Sequence, residues 1–270
     1  MKKVNNRIIK GVLCLVTLST MLIGQNNILT KGYAQDTYSE VAGESHTGSF
    51  SVDSLTLPPG ATTTSINLNW YAPAGTTVAK IQFGDQTYDV TAKPLTSPTE
   101  IKSDKYTDTG KLVCKTTISN LKPDTKYTYY ISNDGGTTWS KEYNYTTPSS
   151  NEFTFGFTSD PQIKENKEIN SEGWNPSDET NQTGWATMME TLEKQGVDLV
   201  VSAGDQVEDQ NWGKSSEYEA FFAPEEMTSI PYAPAVGNHD RHYMFADHFN
   251  LPNQMESLTE VKTTFRGQNS

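Results

Sequence analysis

The sequence is poor in the residues that usually staple or charge a small protein. It holds two cysteines and four histidines in 270 residues. Apart from one apolar stretch over residues 11–24, it has no long hydrophobic run. That stretch is shorter than the ~20 residues a spanning helix needs. It follows a basic head of Lys2, Lys3, Arg7 and Lys10 and precedes the small-residue tripeptide Gly32-Tyr33-Ala34. Residues 1–34 therefore read as a secretory leader cut after Ala34, which predicts a secreted, extracellular protein with no membrane attachment after cleavage. Only Cys114 outlives that cut, so an internal disulfide is excluded, and its alternating apolar surroundings make it a small core residue. Basic charge is also scarce. The mature chain carries 16 Lys and Arg against 33 Asp and Glu, a formal net charge of −17. Nucleic acid and anionic membrane surfaces are poor partners for such a chain.

Hydrophobic residues at 34% and charged residues at 20% give a polar but foldable composition, with length for about two domains. Residues 35–48 are polar and without period, and read as a flexible entry in which His46 has no evident task. From 49 to 147 the signals are strand-like, with runs rich in Thr, Val, Ile and Tyr broken by Gly, Pro, Asn and Asp. Ser65-Ile66-Asn67-Leu68-Asn69-Trp70 alternates strictly and places Ile66, Leu68 and Trp70 on one face. Leu121-Lys122-Pro123-Asp124-Thr125-Lys126-Tyr127-Thr128-Tyr129 reads as a corner feeding a strand, with Tyr127 placed to bond back to the backbone. Trp70 and Tyr127 are assigned to core packing. About a hundred residues of this kind make one β-sandwich.

Beyond the Thr147-Pro148-Ser149-Ser150 linker the period changes. Trp185, Met188, Met189 and Leu192 fall at i, i+3, i+4 and i+7, which predicts an amphipathic helix over 181–194 stopped by Gly196. A strand over 153–158 precedes it and one over 197–202 follows, a βαβ unit with parallel pairing. A short helix over 218–222 and a strand over 230–236 come next. Each of the three strands runs into chemistry: Ser159-Asp160-Pro161-Gln162, then Gly204-Asp205, then Gly237-Asn238-His239-Asp240. As parallel neighbours they would gather Asp160, Asp205 and Asn238 at one carboxyl edge, where open α/β sheets bind ligands. Hard oxygen donors beside an imidazole suit metal ions and hydrolysis.

In order and strand context these three blocks resemble the motifs of the calcineurin-like metallophosphoesterase superfamily. The Leu121-x-Pro123-x-Thr125-x-Tyr127-x-Tyr129 pattern resembles a fibronectin type III domain, in particular the one that precedes the catalytic domain of purple acid phosphatases. The resemblance implies an all-β sandwich (fibronectin type III-like) over residues 49–147. It implies a partial α/β metallophosphoesterase domain, an incomplete αββα sandwich, over 152–270. It implies phosphate ester hydrolysis with two metal ions drawn from Fe, Mn or Zn. By it Asp160 holds one metal, Asp205 bridges both, Asn238 binds the second, His239 protonates the leaving alkoxide or contacts the phosphoryl oxygens, and Asp240 orients that imidazole. Two positions depart from the family. Gln162 stands where it has His, a weaker ligand that is either bound or one step removed. Glu208 stands where purple acid phosphatases have Tyr, so an iron-tyrosinate colour is not expected. Glu208 is either a ligand or part of a solvated turn. His242 and His248 match no metal motif and read as a rim residue and a helix residue beside Phe245 and Phe249. The family's later lone His and Gly-His-x-His do not occur before Ser270, so the chain as written is expected to bind metal weakly and to be nearly inactive, with residues 259–270 a strand entering further sequence. The alternative reading is a binding module, the sandwich attaching to a cell surface or polysaccharide beside a vestigial catalytic half.

Overall fold

The computed structural model describes residues 13–14, 38–98, 106–149, 152–164, 178–208, 215–240 and 242–252. The expected strand over 259–270, most of the leader and most of the loop between the first strand and helix of the second half lie outside the described residues.

The chain-order elements are β1 (Leu13–Cys14), β2 (Ser39–Val41), β3 (Asp53–Thr56), β4 (Ile66–Pro73), β5 (Ala79–Phe83), β6 (Gln86–Val90), β7 (Ala92–Pro98), β8 (Tyr106–Ile118), β9 (Thr125–Ser132) and β10 (Tyr143–Thr146). Then come β11 (Phe155–Thr158), α1 (Asp178–Lys194), β12 (Leu199–Ser202), α2 (Ser215–Phe221), a 3₁₀ turn (Glu225–Thr228), β13 (Tyr232–Ala233) and α3 (His242–His248). β2 to β10 form a sandwich of two sheets, one ordered β10-β9-β5-β6 with β2 added on β9, the other β3-β4-β8-β7. Ile66, Leu68 and Trp70 point into the shared core with Leu55, Ile81, Cys114 and Tyr129, as alternation requires. The backbone N–H of Lys122 donates to the Tyr127 hydroxyl at 2.8 Å, which closes the corner onto the strand that follows.

The entry segment is tied down rather than loose. β2 pairs in parallel with Thr125–Tyr127 of β9. His46 bonds through Nε2 to Oε1 of Gln82 at 2.6 Å, and its ring stacks on Trp139 at 4.3 Å. The expectation that residues 35–48 are flexible and that His46 is idle is therefore corrected from Ser39 onward. The absence of a period misled because a three-residue strand is too short to display one.

The second half is a parallel sheet ordered β1-β11-β12-β13. Phe155 to Thr158 align with Leu199 to Ser202, and α1 crosses between them, the right arrangement for a βαβ unit. Helix α1 ends as expected at Gly196, whose φ is +65°. The N–H of Gly196 donates to Glu193 O at 2.8 Å and that of Val197 to Leu192 O at 3.3 Å, a Schellman stop. The strand expected over 230–236 shrinks to the two residues of β13, because Pro231 and Pro234 on either side have no N–H to give the ladder. Trp185, Met189 and Leu192 pack with Tyr218, Phe221 and Phe249 into a second core, which also takes in Tyr71, Leu95 and Val113 from the sandwich. The remaining pair, β1, adds Leu13 and Cys14 to the outer side of Gly156 and Phe157.

Candidate functional site

The site is built where β11, β12 and β13 run out of ladder. Beyond β11 and β12 the two chains stay fastened backbone to backbone. Asp160 N donates to Gly204 O at 3.1 Å, Gln162 N to Asp205 O at 3.0 Å, Ile163 N to Gln206 O at 3.1 Å and Glu208 N to Ile163 O at 3.1 Å. Three residues of this seam hold positive φ without being glycine: Asp160 at +55°, Gln162 at +45° and Asp205 at +55°. Backbone of that kind costs energy and is concentrated at functional sites, where surrounding bonds enforce it.

The third loop is locked against the second by two glycines. A Cβ on Gly204 would sit 2.7 Å from the Cα of Gly237, and one on Gly237 only 2.0 Å from Oδ1 of Asp205. No side chain fits in either place, so the Gly-Asp and Gly-Asn-His-Asp blocks require each other. The backbone N–H of His239 then donates to Asp205 Oδ1 at 2.7 Å. Asp240 completes the lock from below. Its Oδ2 accepts from Asp205 N and Gly237 N, each at 2.9 Å, and its Oδ1 from Gln206 N at 3.1 Å and from the Tyr218 hydroxyl at 3.4 Å. Burial pushes the Asp240 carboxyl up from its ordinary range, and the three backbone N–H groups pull it back down.

These contacts correct one expectation. Asp240 spends both carboxylate oxygens on loop backbone and Tyr218 rather than on the imidazole. The carbonyl oxygen of Glu208 meets Nδ1 of His239. The Glu208 carboxylate lies 3.5 Å from Lys164 Nζ. Asp160 and Asn238 are exposed at the edge, Asp205 is buried and Gln162 is partly buried. The Ser159 hydroxyl donates to Asp160 Oδ2. His248, on α3, is fully buried against Tyr218 and away from the edge. Tyr218 is the participant the sequence did not disclose: a tyrosine in a seven-residue helix carries no motif that aims it at Asp240.

The donors at this edge suit a hard cation in kind, two carboxylates with neighbouring amide oxygens. They are sparse in number: no three His, Cys, Asp or Glu side chains gather closely enough to hold a metal among the described residues. The chain's own donors thus fit part of a metal centre.

A parallel sheet thus delivers an aspartate, a second aspartate and an Asn-His pair to one edge, seated on a β-sandwich. The particular relatives follow. Residues 52–147 match the family model of the purple acid phosphatase N-terminal domain, and residues 153–267 match that of the calcineurin-like phosphoesterases. Among solved structures the chain is similar to purple acid phosphatase PPD1 isolated from yellow lupin (Lupinus luteus) seeds, at 18% identity and a TM-score of 0.55. That likeness covers 75% of this chain and 41% of the lupin chain, and at such identity it speaks for the fold. No curated protein matches.

Proposed function

We propose that this chain carries part of the catalytic apparatus of a secreted, metal-dependent phosphatase acting on phosphate monoesters. Similarity to the calcineurin-like phosphoesterases and to a purple acid phosphatase supports phosphatase-like hydrolysis. The observation that carries the reading is the interlocked edge itself, in which Asp160, Asp205 and Asn238 follow adjacent parallel strands, the two aspartates on backbone held at positive φ.

Asp160, Asp205 and Asn238 would hold the divalent or trivalent ions that the family implies, with Gln162 beside them. When bound, such ions stabilise charge on phosphoryl oxygens and lower the pKa of water. The chain's own residues do the rest. Asp205 keeps Oδ1 on the His239 N–H, so its position is fixed before any ligand arrives. The Glu208 carbonyl accepts from Nδ1 of His239, which makes that the protonated ring nitrogen, and Nε2 would be the atom that exchanges a proton with the leaving oxygen.

The test is Mn²⁺ titration together with turnover of p-nitrophenyl phosphate. Native protein is expected to bind Mn²⁺, D205N to bind at least about tenfold more weakly, and H239A to keep the metal while losing the slow turnover this sparse donor set allows. Equal Mn²⁺ affinity in native protein, D160N and D205N would remove the basis of the proposal.

A further inference from the structure

The site is supported from the far side of the domain boundary. Tyr71 stands on the outer face of β4, opposite the face that builds the sandwich core, and is fully buried against the second half of the chain. Its hydroxyl meets Nδ1 of His248. The His248 ring lies face to face on Tyr218, with centroids 3.8 Å apart and planes 19° from parallel. The Tyr218 hydroxyl reaches Asp240, and Asp240 holds the backbones of Asp205, Gln206 and Gly237. Burial raises both tyrosine hydroxyls well above their ordinary range and lowers the imidazole, so the tyrosines stay protonated and the ring stays neutral. Neighbouring bonds keep the histidine in place: Asn69 Nδ2 donates to His248 O at 2.8 Å, and Asn250 Nδ2 donates to Leu68 O and Thr116 O.

We propose that Tyr71 is a positioning residue for the metal-dependent site, acting through His248 and Tyr218 on the Asp240 clamp. The N-terminal domain is then a working part of the catalytic edge rather than an appendage. Side chains lead without a break from the outer face of β4 to the backbone that presents Asp205. The chain of contacts begins at a buried residue, so solvent does not screen or replace it. The inference rests on the phosphatase reading of the edge, but its measurement does not.

The experiment is amide hydrogen exchange on the full chain without metal, comparing native protein with D240N, Y218F and Y71F. D240N should release the Asp205, Gln206 and Gly237 amides together and so calibrate the readout. Y218F and Y71F should speed the same three amides by about fivefold, the loss of one hydrogen bond. The Gly196 and Val197 amides, in the Schellman stop of α1, should keep native rates. Native rates at the three site amides in Y71F, or an equal acceleration everywhere, would overturn the proposal. Should Y71F fail to fold, Y218F leaves the domain seam intact and decides the matter alone, since native rates in it also break the relay. Mn²⁺ titration of the same samples should weaken a few-fold in Y71F at unchanged global stability, a shift that general destabilisation does not produce. If no sample binds Mn²⁺, the phosphatase reading fails and the exchange result still stands by itself.

Discussion

Gly237 and Gly184 make opposite predictions from one chemical change. At Gly237 a methyl group would meet Asp205 at 2.0 Å from Oδ1 and 2.2 Å from N, both parts of the locked loop. Gly237→Ala should therefore cost about 1–3 kcal/mol, as overpacking does, and abolish Mn²⁺ binding, read by thermal melting and titration. At Gly184 a Cβ meets nothing within 4 Å and the residue is an exposed position of α1. Gly184→Ala should raise stability by about 0.5–1 kcal/mol. A third residue, His248, sets a pH dependence. Burial first, and the charge of Lys115 second, depress its pKa well below the ordinary imidazole value of about 6.5. The unfolded chain thus takes up a proton at acid pH that the folded chain refuses. Stability should fall as pH drops below 6.5, by up to about 1.4 kcal/mol per pH unit from this one group. Urea midpoints of native protein and H248F between pH 8 and pH 5 isolate the contribution, and parallel curves would contradict it.

At the scale of elements, what was legible in the sequence was whatever repeats or stops. The 3.6-residue spacing of Trp185, Met189 and Leu192 with Gly196 as terminator located α1, and alternation from Ile66 to Trp70 located the core face of β4. The three strand ends were legible because a glycine or a carboxylate interrupts an apolar run. Alternation was silent about the other face of β4. Asn67, Asn69 and Tyr71 look like an ordinary wet face, yet all three are buried under α3 and the residues after it. The reason is long-range: Asn67 Nδ2 donates to Asn250 O at 2.8 Å, Asn69 Nδ2 to His248 O at 2.8 Å, and the N–H of Asn250 to Asn69 Oδ1 at 3.2 Å, across about 180 residues that no local window spans. The role of Asp240 was misread for the same reason. Adjacency to His239 suggested a partner, whereas the fold turned the carboxylate toward Gly204's loop. Asn69→Ala deletes a donor and an acceptor and strands the buried His248 carbonyl. It should cost about 1–3 kcal/mol, and Asn69→Asp, which restores only the acceptor, should recover little. Denaturant melts of the two variants check this.

For the whole molecule the question is whether the halves melt as one. Inter-domain contacts within a chain are usually modest and leave relative motion as the default. This seam differs in kind. Tyr71, Leu95 and Val113 of the sandwich sit inside the second core, so part of one domain's apolar surface is buried only by the other. The backbone N–H of Tyr232 on β13 donates to Leu57 O at 2.8 Å, which fixes the central sheet to the sandwich as rigidly as a ladder bond would. The Tyr129 hydroxyl donates to Thr228 O at 2.5 Å. Charged pairs line the rim, with Lys111 between Asp53 at 2.7 Å and Glu219 at 2.8 Å, and Lys141 on Glu225 at 2.6 Å. Such partly exposed pairs add little each, and high salt should barely change the outcome. Separating the halves would expose three large side chains and orphan several buried backbone groups at once, a cost that neither half can recover alone. Calorimetry should therefore show a single transition with the van 't Hoff enthalpy equal to the calorimetric one. Asn69→Ala, at the seam, should broaden it toward two steps. Two well-separated transitions in the native protein would show that the sandwich folds independently of the site, and would leave the relay from Tyr71 to Asp240 without the rigid base it needs.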